Sequence, residues 1–171
     1  MNKVLARWNS LDLAAAAREA LPCSGSQAWA IALASARPVE DEESLIETSS
    51  SIWLSLPEEA WQEAFDSHPR IGQNHAQVHA TEESLRWSTQ EQHAALSENE
   101  VAIRTLQAAN ARYEQRFGRI FIVCASGKTS TEILAILEAR MQNGDATELR
   151  EAAEQQRQIT QLRLHRWLES E

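Results

Sequence analysis

The chain has 171 residues, of which 43% are hydrophobic and 24% charged, and its formal net charge is −9. This length predicts one domain, residues 1–171, that can bury a sizeable core. The acidic balance and the lack of a long basic face argue against binding to nucleic acid or to an anionic membrane. No apolar run approaches the roughly 20 residues of a membrane span.

The two cysteines, Cys23 and Cys124, lie in apolar sequence and predict buried thiols instead of a disulfide framework. The N-terminus lacks the apolar run and cleavage site of a signal peptide. We therefore expect a cytoplasmic protein.

Scarce glycine and proline, with abundant Ala, Leu, Glu and Gln, favour helix. We predict an all-α bundle of about eight helices. Pro22 and Pro38 are predicted to end the first two, and Ser55 to cap the fourth, which stops at Pro69. In chain order the predicted helices cover residues 11–21, 27–36, 41–53, 55–69, 81–96, 97–117, 129–142 and 146–167.

Two short patterns and one periodic face support these helices. Ser97–Glu100 and Thr129–Glu132 have the spacing of capping boxes. The helix to Phe117, which Gly118 ends, is predicted to place four residues on one face, namely Val101, Leu106, Ala109 and Tyr113. The six tryptophans are predicted to be core or interface aromatics: Trp8, Trp29, Trp53, Trp61, Trp87 and Trp167.

One short segment, residues 120–125, has the apolar character of a strand but no partner run elsewhere in the chain. An extended connector leaves backbone N–H and C=O groups without ladder partners, and such groups must bond to something. A small polar ligand with amide-like edges would satisfy them. The alternative is that water or side chains do so.

The segment Ser67–Gly72 joins a histidine to a proline, an arginine and a glycine. Pro69 fixes its own φ and biases His68 away from helix, so His68 is predicted to lie just past a helix end. Such placement suits a group that transfers a proton to one atom of a ligand. The alternative is a helix terminator with an incidental histidine.

A second polar set lies at helical spacing, because Ser88, Glu91 and Gln92 stand at i, i+3 and i+4. These side chains would offer a hydroxyl, a carboxylate and an amide on one face. The alternative interpretation, and the more common case for such a pattern, is a solvated polar face.

Two other patterns are weaker. Gly127-Lys128-Thr129 matches the end of a phosphate-binding loop, but Ile122 stands where the full pattern requires glycine. His75 and His79 have the i, i+4 spacing of zinc ligands, yet the polar stretch 72–80 is predicted to be a loop. We expect loop histidines there and no metal site.

Taken in order, these segments resemble the OHCU decarboxylases, in full the 2-oxo-4-hydroxy-4-carboxy-5-ureidoimidazoline decarboxylases of urate breakdown. The motifs are, in order, His68-Pro69-Arg70-Ile71-Gly72, Ser88-x-x-Glu91-Gln92, Tyr113-x-x-Arg116-Phe117-Gly118 and Phe121-Ile122-Val123-Cys124-Ala125. The early stretch 23–30 and the late stretch 162–164 also fit. Each motif alone is weak, but the ordered set is specific.

The resemblance implies an all-α fold, a homodimer, no metal or organic cofactor, and decarboxylation of a small ureide, OHCU, to (S)-allantoin. It implies that His68 is catalytic, with Glu91 given a provisional acid–base role. The implied substrate contacts are Pro69, Ser88, Thr89, Gln90, Glu91, Gln92, Phe121, Ile122, Val123, Cys124 and Ala125, together with Arg163. Arg70 stands where the family varies and is not counted as catalytic. The C-terminus carries no peroxisomal address, which points to a bacterial cytoplasmic protein.

Three other interpretations remain open from the sequence. The acidic surface and six tryptophans fit a non-enzymatic helical interaction module. A hydrolase that opens the ring of 5-hydroxyisourate would use similar residues, but only a decarboxylase releases CO2. A metal enzyme built on His75 and His79 comes last.

Overall fold

The computed structural model describes residues 2–71, 80–96 and 100–170, and within them the fold is all-α. The prediction of an all-α protein is confirmed, and residues 120–125 form a connector without regular structure. The helices of the described ranges are α1 (Lys3–Asn9), α2 (Leu13–Ser24), α3 (Gln27–Ser35), α4 (Glu42–Ser55), α5 (Glu58–Asp66), α6 (Glu82–Glu91), α7 (His93–Leu96), α8 (Glu100–Phe117), α9 (Ser130–Arg140) and α10 (Asp145–Leu168).

Contacts divide the chain into two compact units. The first combines Met1–Ala64 with Arg157–Glu171, and the second is Phe65–Gln156. The division falls within α5 and within α10. That residues 1–171 act as a single domain stays a prediction.

The first unit has an aromatic core built on Trp8, Trp29 and Trp53, each at most 1% exposed. Their indole N–H groups would be costly to bury without acceptors. Trp8 donates to the carbonyl of Ala16 at 2.9 Å, and Trp29 to that of Ser49 at 3.3 Å. The prediction that these tryptophans are core aromatics is confirmed.

The second unit has an apolar core to which α8, α9 and the 120–125 connector all contribute. Tyr113 lies at its centre, with ring centroids 4.7 Å from Phe117 and 5.1 Å from Phe121. The buried members of this cluster are Ile71, Ala95, Leu106, Ala109, Tyr113, Phe117, Phe121, Val123, Ala125, Ile133 and Leu137.

Side-chain caps explain where several helices begin. Asp41 accepts from the backbone N–H of Ser44, and this bond lowers the pKa of the Asp41 carboxyl. The capping box of α9 is confirmed: Thr129 accepts from the backbone of Glu132, whose carboxylate accepts from the backbone N–H of Thr129. The other predicted box, Ser97–Glu100, falls largely on residues outside those described.

The prediction that Pro22 ends the first long helix is wrong, because α2 continues to Ser24. Pro22 has no N–H to donate to the carbonyl of Arg18, but the next turn of the helix still closes. Gly25, with φ of 78°, adopts the left-handed conformation that glycine tolerates, and its N–H donates to the carbonyl of Leu21 at 2.8 Å.

Three further predictions need correction. Ser55 does not cap α5; it ends α4, and its hydroxyl donates to the carbonyl of Ile52. The predicted helix 81–96 is interrupted by a turn at Gln92. Val101 is 68% exposed and so lies off the buried face of α8, although Leu106, Ala109 and Tyr113 share it as predicted.

The sequence analysis also missed α1, a helix of seven residues that buries Val4, Leu5 and Trp8. Asn2 caps it by accepting from the backbone of Val4 and Leu5. The predicted loop 72–80, including His75 and His79, lies outside the described residues except for Ala80.

Both cysteines are buried and neither forms a disulfide, as the sequence predicts. Among the helices that the structure describes, none combines the length and the hydropathy needed to cross a bilayer.

Replacing Thr129 by alanine should lower the free energy of unfolding by about 1 kcal/mol, because the N-terminus of α9 loses its hydroxyl acceptor. Thr131→Ala, the same change at an exposed position two residues later, is the matched control. Urea denaturation of both variants measures the difference. Equal stability of the two variants would mean that the box does not hold the helix end.

Candidate functional site

His68 lies immediately after α5, as the sequence predicts. Its backbone N–H donates to the carbonyl of Phe65 at 3.1 Å, which closes the last turn. Pro69 follows directly and limits the backbone. The imidazole is only 7% exposed, so its ring orientation is determined by protein groups more than by water.

The imidazole Nε2 of His68 lies 2.6 Å from the side-chain Oε1 of Gln156. Gln156 belongs to α10 and has no solvent exposure. Both residues fall in the second unit. The contact joins a loop histidine to a helix residue 88 positions away in sequence, and neither local pattern nor spacing predicted it.

Arg70 holds the chain just after His68 and Pro69. Its guanidinium binds Glu114 of α8 in a forked arrangement, with Nε 2.8 Å from one carboxylate oxygen and Nη2 2.7 Å from the other. The hydrogen bond to Glu114 raises the pKa of Arg70. This ion pair gives Arg70 a structural role, and that Arg70 is not catalytic stays a prediction.

The three polar side chains that the sequence places on one face at the end of α6 are buried, not solvated. Ser88, Glu91 and Gln92 are each at most 7% exposed, so the solvated-face alternative is wrong for them. Thr89 and Gln90, predicted with them as substrate contacts, are exposed, and the hydroxyl of Thr89 donates to the carbonyl of Leu85. The structure therefore separates the predicted segment into a buried and an exposed set.

The connector Phe121–Ala125 is buried throughout, and several of its backbone groups bond within the protein. The N–H of Cys124 donates to Oε1 of Gln155 at 2.9 Å, and its carbonyl accepts from Nζ of Lys128 at 2.8 Å. The carbonyl of Ile122 accepts from Nη1 of Arg140 at 2.6 Å. For these groups side chains supply the partners, as in the alternative left open above.

A buried ion pair holds Arg140 in place beside this connector. Glu148 has no exposure, and its carboxylate accepts from Nε of Arg140 at 2.8 Å, from Nδ2 of Asn143 at 3.0 Å and from the hydroxyl of Tyr113. The guanidinium carbon of Arg140 lies 4.5 Å from the ring centroid of Phe121. Arg140 thus contacts both a side chain and a carbonyl of the connector.

Arg163, the predicted ligand of the substrate carboxylate, belongs to the first unit and is fully buried. Its Nη1 donates to the carbonyl of Pro22 at 3.1 Å, close to the C-terminal end of α2. A cation near the C-terminal end of a helix also interacts favourably with the helix dipole. The substrate role of Arg163 stays a prediction.

The described residues contain no group of three or more His, Cys, Asp or Glu side chains arranged to hold a metal ion. The ammonium of Lys128 donates to the carbonyl of Cys124. Lys128 belongs to the sequence that resembles the end of a phosphate-binding loop.

Sequence reasoning missed Glu148, Gln155 and Gln156, the polar residues of α10 that bind the other parts of the site. A signal was present, because Glu148 and Gln156 lie eight residues apart on the face that also buries Ala152. Polar residues on an otherwise small and apolar helix face indicate a buried polar network.

The OHCU decarboxylase family model matches residues 9–165. The chain is 32% identical over 136 residues to a 2-oxo-4-hydroxy-4-carboxy-5-ureidoimidazoline decarboxylase of Amia calva, covering 79% of this chain and 77% of that protein. The chain therefore belongs to the OHCU decarboxylase family, which confirms the resemblance of the ordered motifs.

Two further comparisons define how far the similarity extends. A uric acid degradation bifunctional protein TTL of Arabidopsis thaliana is 36% identical over 144 residues, 83% of this chain but only 44% of the plant protein. A crystal structure of OHCU decarboxylase in the presence of (S)-allantoin is 32% identical, with a TM-score of 0.76, and the match covers 89% of this chain and 98% of that one. The chain spans less than half of the bifunctional plant relative.

Tyr113, the chain's one tyrosine, reports on the buried network directly. Burial, followed by its hydrogen bond to Glu148, raises the pKa of Tyr113 above the ordinary value of 10.0. A raised folded-state pKa gives stability that is complete below the unfolded pKa and is lost as pH rises above it. We expect no phenolate absorbance from folded protein just above pH 10.0 and a falling free energy of unfolding there.

Tyr113→Phe is the control, because it cannot ionise and should lose less stability over the same pH range. Phenolate absorbance at the ordinary pKa in folded protein would show that Tyr113 is not held in this network.

Proposed function

We propose that the chain decarboxylates OHCU to (S)-allantoin without a metal or an organic cofactor. The observation that carries the proposal is a buried histidine, held between a proline and a helix glutamine, in a chain that is 32% identical to a named OHCU decarboxylase over most of both proteins. All the residues to which we assign a role lie in the second unit, Phe65–Gln156.

The substrate's own structure supplies the electron sink. The carbon that carries the carboxylate also carries a hydroxyl and neighbours a ring C=N. When the bond to the carboxylate breaks, its electron pair forms a double bond to the neighbouring carbon, and the C=N pair moves to nitrogen, which takes a proton. No pyridoxal or thiamine group is needed for such a step.

The second half of the reaction is proton transfer. The hydroxyl loses its proton as a carbonyl forms, and the new double bond takes a proton at the neighbouring carbon. For each CO2 released, the carboxylate substrate takes up one proton overall. Delivery of the carbon-bound proton to one face determines the handedness of allantoin.

His68 is suited to this work because an imidazole exchanges protons near neutral pH. We propose that it acts as general acid and base. Glu91, buried on α6, is proposed to take part in the other proton transfer, and Ser88 and Gln92 to bond the ureido and ring edges of the substrate. Groups of the connector Phe121–Ala125 that are not used by Arg140, Gln155 and Lys128 would bind the ring's amide edge.

We also propose a homodimer, which the family resemblance implies, and a cytoplasmic location. Sedimentation of the purified protein measures the oligomeric state.

The activity is tested with OHCU generated in place from urate by upstream enzymes, because OHCU decays by itself to racemic allantoin. Circular dichroism follows the handedness of the product while trapped CO2 is counted. We expect fast loss of OHCU, release of CO2 and (S)-allantoin. Racemic product at the uncatalysed rate would contradict the proposal, and ring opening without CO2 would indicate a hydrolase.

His68→Asn should reduce the rate to that of uncatalysed decay, because the group that transfers the proton is gone. His93→Asn, the same change at an exposed histidine, is the control. Circular dichroism in the far ultraviolet should show the same helix content in both. Full activity of His68→Asn would remove His68 from the mechanism.

Glu91→Gln should lower kcat by about 10²-fold, the usual contribution of a positioned acid or base. Glu83→Gln changes an exposed carboxylate on the same helix and should leave kcat as it is. If both variants turn over OHCU equally fast, Glu91 has no role in proton transfer.

A further inference from the structure

The contact between His68 and Gln156 determines which imidazole nitrogen carries a proton. A carbonyl oxygen can only accept a hydrogen bond, and Oε1 of Gln156 lies 2.6 Å from Nε2 of His68. The ring nitrogen must therefore be the donor. In the neutral imidazole the proton is then on Nε2, and the lone pair is on Nδ1.

The glutamine is well held for this purpose. Gln156 has no solvent exposure, so bulk solvent does not reach its amide. Its helix neighbour Gln155 accepts from the backbone N–H of Cys124 at 2.9 Å and donates from Nε2 to Glu151 at 3.1 Å. Successive residues of α10 thus bind the histidine loop and the connector.

We propose that Gln156 is a positioning residue for the decarboxylation, holding neutral His68 in the tautomer protonated on Nε2. This inference rests on the proposed function only for its effect on rate. Nδ1 is then the atom of His68 that accepts the substrate's proton and later gives one back. Gln156 itself contacts no reacting atom.

The tautomer of His68 also bears on which proton transfers His68 and Glu91 carry out. A carboxylate can serve a catalytic histidine either by fixing its tautomer or by handling a second proton. Because Gln156 is proposed to fix the tautomer, no carboxylate is needed for that purpose, and Glu91 keeps the role proposed above, the second proton transfer.

The first test is the nitrogen NMR spectrum of the histidine side chains in the full chain, recorded without substrate. A protonated ring nitrogen and one with a lone pair resonate far apart, so the spectrum identifies the tautomer. The chain has five histidines, and the signals lost in His68→Asn identify the ring. We expect the proton on Nε2. A neutral ring protonated on Nδ1 would overturn the proposal, whether or not the chain decarboxylates OHCU.

The second test uses Gln156→Met, which keeps the length of the side chain and removes its acceptor. We expect a mixture of His68 tautomers and a fall in kcat of about 10²-fold, the scale of a misplaced catalytic group, with little change in KM. Gln156→Glu restores an acceptor and should restore protonation on Nε2. Gln142→Met, at an exposed glutamine, is the control.

An unchanged tautomer and unchanged kcat in folded Gln156→Met would overturn the proposal. If that variant does not fold, the spectra of the wild type and of Gln156→Glu decide, because each must show Nε2 protonated.

Discussion

The second unit depends on a carboxylate that has no access to water. Burying the charge of Glu148 is costly unless donors surround it, and it has them in Arg140, Asn143 and the hydroxyl of Tyr113. Removing one partner from such a pair typically costs about 3–5 kcal/mol, because the other charge is left buried. The network therefore joins α8, α9 and α10 in one arrangement. Since Arg140 also donates to the carbonyl of Ile122, that arrangement includes the connector.

The same helix, α10, also contacts the residues proposed to carry out the chemistry. Two turns after Glu148, Gln155 binds the backbone of Cys124 and Gln156 binds the ring of His68. Each of these bonds is made by a side chain of a regular helix, which places its groups more accurately than a loop would. A reaction whose substrate supplies its own electron sink needs little from the protein beyond such placement. The fold, on this account, serves to hold an imidazole and a set of backbone groups in fixed positions.

Local patterns in the sequence predicted much of the helical fold because caps, glycines and periodicity act over a few residues. The capping box at Thr129, the end of α8 at Gly118 and the position of His68 after α5 all follow from such signals. Pro22 was misleading, because the conformation of Gly25 closes α2 despite the missing N–H. The spacing of Ser88 and Glu91 did not distinguish a buried face from a solvated one, and the role of Gln156 depends on a contact distant in sequence. No spacing rule predicts a bond between residues 68 and 156.

The most direct measurement is a titration of the isotopically labelled chain with (S)-allantoin, following the backbone amide resonances. We predict saturable shifts concentrated at His68, at Ser88, Glu91 and Gln92, and at Phe121 to Ala125, the residues proposed above to bind the substrate. His68→Asn should change the shifts at the histidine loop and keep those of the connector. Saturable shifts confined to other parts of the chain would contradict the account, and so would the absence of any shift up to the solubility of allantoin.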